Sequence, residues 1–140
     1  MVNAKLNLLG SPEIFIDGES ISLGTRKSVA LLAYLAVTES AHSRDSLAAL
    51  LWPEHDQTRA RTYLRQSFHA FTKRLGTTDF QADRQMLGMA PSPSLEVDIH
   101  RFRRHLQSAH AYDTELSAPQ ALAELEQAEA LFHDDFMAGF

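Results

Sequence analysis

The sequence predicts a mainly α-helical chain with small β-sheets. Three observations lead there. Short apolar runs ending at glycine fill the first two dozen residues; stretches with helical apolar spacing follow as far as residue 76; a short alternating segment then precedes two further helical stretches.

Composition bounds the function. The chain has 140 residues, enough for one ordinary domain or two small ones, and at 44% hydrophobic and 22% charged it reads as a soluble globular protein. It has no cysteine, which excludes disulfides and thiolate metal sites and points to a reducing compartment. No apolar run approaches the roughly 20 residues needed to span a bilayer. The N-terminal "MVNAKLNLLGSPEIF" lacks a basic head before an apolar core. The expectation is a cytoplasmic protein with no membrane partner. The formal net charge of −5 hides an asymmetry: residues 1–90 hold ten Lys/Arg and nine Asp/Glu, whereas residues 91–140 hold three and nine. Such a split predicts two units with different partners, only the first suited to phosphates.

In chain order, "KLNLLG", "EIFIDG" and "ESISLG" read as three short strands, with Asp17-Gly18 as a tight hairpin turn. Thr25 can cap a helix over "RKSVALLAYLAV", in which Val29, Leu32, Ala33 and Ala36 share one face that Leu31 and Leu35 widen. Ser43 can cap a second helix with a Leu47, Leu50, Leu51 stripe, and Asp45 favours its positive end. Pro53 stops that helix. Asp56 can cap a third helix over residues 57–75, closed by Gly76. "FQA" and "MLGM" read as the arms of a β-hairpin, and "PSPS" as a linker. "LEVDIHRFRRHLQSAHAY" reads as a helix capped by Asp98. "LSAPQALAELEQAEALF" reads as another, opened by a capping box from Ser117 to Gln120. Small residues such as Ala121, Ala128 and Ala130 predict that these two helices pair antiparallel, as in a helical repeat that continues beyond this chain.

The third helix carries the functional signal. Ala60, Leu64, Phe68, Phe71 and Leu75 fall within about 80° of arc at 3.6 residues per turn. Opposite them stand Thr62, Gln66, His69 and Lys73, flanked by Arg59 and Arg65. Residues 59–76 hold five basic residues and no acidic one, whereas a merely solvated helix would mix in Glu and Asp.

Three helices followed by a two-stranded wing make a winged helix-turn-helix, and a small sheet ahead of the first helix marks the OmpR type. "LNLLGSPEIFIDGESISLGTRKSVALLAYLAV", the Leu51-Trp52-Pro53 triplet and the Leu64-Arg65 pair resemble the Streptomyces antibiotic regulatory protein family. "LEVDIHRFRRHL" resembles the opening of the TPR-like bacterial transcriptional activator domain that follows in that family. Many members have a Gly-Tyr pair in the wing. Here "FQADRQMLGMAP" departs from it and is closer to members whose activator domain leads into a signal-transduction ATPase. The resemblance implies a winged-helix domain over 1–91, the beginning of an activator domain over 96–140, promoter DNA and RNA polymerase holoenzyme as partners, and a homodimer.

A helix fits the major groove, Arg prefers guanine and Gln prefers adenine there, and Lys and Arg neutralise phosphates. Arg65, Gln66, His69 and Thr62 are therefore the base-contacting candidates. Arg59, Arg61, Lys73, Arg84 (in the wing turn), Arg26 and Lys27 are the phosphate-contacting ones. Trp52 is assigned to packing between the second and third helices. The seven histidines form no His-Glu-x-x-His motif and no phosphate loop is present. The expectation is no metal, no cofactor and no catalytic residue. The competing expectation, from a different class, is a protein–protein interaction module.

Overall fold

The computed structural model describes residues 3–77, 79–90, 94–110 and 118–140. Its elements run β1 (Ala4–Asn7), β2 (Glu13–Ile16), β3 (Glu19–Ile21), α1 (Arg26–Thr38), β4 (His42–Ser43), α2 (Arg44–Leu51), α3 (Gln57–Leu75), β5 (Phe80–Ala82), β6 (Met86–Met89), β7 (Leu95–Val97), α4 (Asp98–His110) and α5 (Ala118–Leu131). Two compact units form: Met1–Ala4 with Ile14–Glu96, and Lys5–Glu13 with Val97–Phe140.

In the first unit β2 and β3 pair antiparallel, Ile14 opposite Ile21 and Ile16 opposite Glu19. The turn between them needs two residues in the left-handed region, and Asp17 (φ 51°) and Gly18 (φ 85°) supply it. Local capping fixes the start of each helix. The side chains of Thr25, Ser43 and Asp56 accept from the backbone N–H of Ser28, Ser46 and Arg59. The helices converge on a core in which Leu31, Leu32, Leu35, Leu64, Phe71 and Leu87 are fully buried. Phe68, Phe71 and Phe80 join the end of α3 to β5 through ring contacts of 5.2–5.6 Å.

β5 and β6 form the expected hairpin, Phe80 opposite Met89 and Ala82 opposite Leu87. A strand that the sequence reading lacks, β4, adds to β6 with His42 opposite Leu87, giving the order β4-β6-β5. Two residues are too short for a visible alternation, so only the pairing reveals it. Gly88 makes that pairing possible, since a Cβ there would stand 2.8 Å from the Ala41 Cα and 2.9 Å from the Ser40 carbonyl oxygen. On α2 the stripe is narrower than expected. Leu47 and Ala48 are buried while Leu50 is 55% exposed, because the short helix turns only its Leu47 face to α3.

In the second unit α4 and α5 pack against each other, with Phe102 and Phe132 6.2 Å apart and the His105 Nδ1 2.6 Å from the Glu124 carboxylate. Ala128 is buried, whereas Ala130 is exposed. Two expectations need correction. "LEV", the opening of the stretch read as a helix, is strand β7. The Asp98 carboxylate accepts from the N–H groups of Leu8 and Leu9 at 2.8 and 2.9 Å rather than serving as a helix cap. A carboxylate buried as Asp98 is (6% exposed) needs strong donors, and the two adjacent amides supply them. Ser117, the proposed opening of a capping box, and most of "PSPS" lie outside the described residues.

Candidate nucleic-acid interface

The site is built on α3. Ala60, Leu64, Phe71 and Leu75 are buried and Phe68 is half-buried, so the core stripe stands largely as its spacing predicts. Arg59, Arg61, Arg65, Gln66, His69, Lys73 and Arg74 are exposed. Thr62 is half-buried, and its hydroxyl donates to the Thr58 carbonyl at 3.0 Å.

The two flanks of α3 border different clefts. One, of about 520 Å³, lies between α3, the start of α2 and the β5–β6 turn, and is lined by Arg44, Arg61, Arg65, Arg84 and a single carboxylate, Asp45. Arg65 from the base-contacting group and Arg61 and Arg84 from the phosphate-contacting group thus meet around one space. Arg44, which the sequence reading did not single out, joins them. Its Nε donates to the Asp83 carbonyl at 2.8 Å and its guanidinium lies 5.8 Å from the centre of the Phe68 ring, tying α2 to the hairpin turn. Its position just inside the α2 N-terminus was legible, but its reach to a residue 39 positions away was not.

The turn itself is held by Asp83, whose carboxylate accepts from the N–H groups of Gln85 and Met86 at 2.8 and 2.7 Å. Those two backbone donors hold its carboxyl below the usual aspartate range, Met86 contributing most. Arg84 projects next to this turn, exposed.

The other flank borders a cleft of about 370 Å³ lined by Trp52, Tyr63, Gln66, Ser67 and Lys27. Gln66 therefore borders a different cleft from its neighbour Arg65. Trp52 is 6% exposed and stacks on Tyr63 at 6.2 Å, in the packing position expected of it. Lys27 lies 5.7 Å from the Trp52 ring centre and pairs with Glu54 at 2.7 Å. That bond draws the Glu54 carboxyl below its ordinary range.

Of the five basic residues on α3, Arg61 pairs with Asp45, Nε to Oδ1 at 2.6 Å. The hydrogen bond from Arg61 lowers the Asp45 carboxyl and in turn raises the guanidinium. Among the described residues, Arg59, Arg65, Lys73, Arg74 and Arg84 meet no carboxylate. Arg26 is exposed at the start of α1. Among the described residues no group of three His, Asp or Glu could hold a metal ion, and no helix is long and apolar enough to cross a membrane.

No protein-family model and no curated protein sequence matches this chain. Among solved structures, it is similar to Mycobacterium tuberculosis EmbR in complex with a low-affinity phosphopeptide, with a TM-score of 0.82 and 23% sequence identity. The likeness covers 98% of this chain and 38% of that one, so this chain spans well under half the length of the EmbR chain and shares its fold over that part.

Proposed function

We propose that this chain is a sequence-specific DNA-binding transcriptional regulator of the antibiotic regulatory protein type, acting as an activator. In this reading residues 1–91 are an OmpR-type winged helix and residues 96–140 begin a TPR-like activator domain. α3 enters the major groove and the β5–β6 hairpin is the wing. Arg65 and His69 meet base edges from the exposed face, with Gln66 and Thr62 along the groove. Arg59, Lys73 and Arg84 meet phosphates, and Arg26, Lys27 and Arg61 do so after giving up their present neighbours. RNA polymerase holoenzyme and a second copy of the chain are the proposed protein partners.

The observation that carries this reading is the cleft where Arg65 of α3 and Arg84 of the hairpin turn converge, both exposed and without a carboxylate partner among the described residues. The likeness to EmbR supports the reading at the level of fold.

Fluorescence anisotropy with promoter duplexes at low and moderate salt tests it. Wild-type binding that falls steeply with salt, and weakens on Arg65→Ala, is the expected result. A second reading, a protein–protein interaction module, is favoured by Leu122 and Leu125 of α5, 57% and 47% exposed. It predicts no duplex binding at low salt and partner binding that salt barely affects.

A further inference from the structure

The cleft that gathers four arginines also holds one acid, Asp45, and it is not there to balance the cleft as a whole. Its carboxylate is directed at one of the four. Arg61 Nε sits 2.6 Å from Asp45 Oδ1, with the two side chains 55% and 53% exposed. Arg44 is engaged elsewhere, on the Asp83 carbonyl. Arg65 and Arg84 meet no carboxylate among the described residues.

We propose that Asp45 is a built-in counter-ion that competes with DNA phosphate for Arg61 and so sets the sequence-independent part of duplex affinity. This rests on the reading of the cleft as the DNA-facing surface. Three physical points carry it. First, the pair is exposed, and exposed pairs are worth little, so a phosphate can displace the carboxylate. Second, whatever Arg61 gains on a phosphate is offset by the bond it leaves and by repulsion between phosphate and the stranded Asp45. Third, sequence-independent affinity grows with each phosphate neutralised, and each adds close to one unit to the slope of log affinity against log salt. A fold that holds one of its arginines on an internal acid therefore binds arbitrary DNA less tightly than its arginine count implies. Asp45 lies on α2 and Arg61 on α3, so the restraint links the two helices along the lining of the cleft.

The test is a double-mutant cycle on the whole chain, using a random-sequence duplex of about two helical turns and reading anisotropy across a salt series. Asp45→Asn keeps the size of the side chain and removes its charge; Asp45→Ser is a second, smaller neutral variant. Either should tighten binding by about three- to tenfold at low salt and steepen the salt slope by about one unit. Arg61→Gln alone removes a phosphate contact and strands Asp45 beside the duplex, so it should weaken binding by about two- to fivefold. Combined with Asp45→Asn it should erase the gain. A slope unchanged by both Asp45 variants, with binding still weakened by Arg65→Ala, overturns this inference while leaving the DNA reading standing. Absence of duplex binding by wild type and every variant overturns both.

Discussion

The two flanks of α3 are made of similar residues and put to different uses. On one, Lys27 of α1 reaches across the buried Trp52 ring to Glu54, and Tyr63 stacks beneath. Charge and aromatic surface there help hold three helices together. On the other flank Arg65 and Arg84 face an open cleft with no such match. A cation buttressed by an aromatic ring and a carboxylate serves the fold, and one left unmatched beside an open cleft is available to a partner.

The sharpest way to break this contrast is at Trp52. Trp52→Ala should cost about 3–5 kcal/mol of stability, through lost burial and the cavity left between α2 and α3. Urea unfolding measures it, and a loss under about 1 kcal/mol would mean that this flank is not structural mortar. Gly88→Ala comes next. Its new Cβ meets the Ala41 backbone, so it should cost about 1–3 kcal/mol and loosen β4 from β6. Amide exchange of the strand residues would report the loosening.

Arg65→Ala should leave stability nearly unchanged and cost about 1–3 kcal/mol of duplex binding, as a lost base-edge contact does. Lys27→Ala, on the opposite flank, should cost up to about 1 kcal/mol in stability, the scale of an exposed ion pair, and weaken duplex binding less than Arg65→Ala does. Equal losses of binding from the two substitutions would erase the distinction drawn between the flanks.

The smallest effect is that of acid on the hairpin turn. The Asp83 carboxyl is held low by the Gln85 and Met86 amides, so the folded-state pKa lies below the unfolded one. Its contribution is therefore present above the unfolded value and fades as pH falls through the folded one. The amide resonances of Gln85 and Met86 should titrate together, with a midpoint below the ordinary aspartate value. A midpoint at or above that value would show that Asp83 does not hold the turn that presents Arg84.

Much of this was legible without coordinates. Residues 57–75 carry their own helix. Asp56 caps one end, Gly76 ends the other, and apolar residues recur at the helical period between them. The Thr25 and Ser43 caps, the Asp17-Gly18 turn and the β5–β6 hairpin were equally plain. All of these depend on interactions a few residues long, which sequence spacing encodes directly. What only the tertiary structure decided is which charges find partners. Lys27 meets Glu54 across 27 residues, Arg61 meets Asp45 across 16, and Asp98 meets the Leu8 amide across 90. Asp98 looked like a cap and Lys27 like a phosphate contact, because a residue's local pattern says nothing about an acid or an amide brought beside it by the packing of another element. The presence of a basic face belongs to the sequence. The division of that face between structure and recognition belongs to the fold, because it depends on distances that only packing sets.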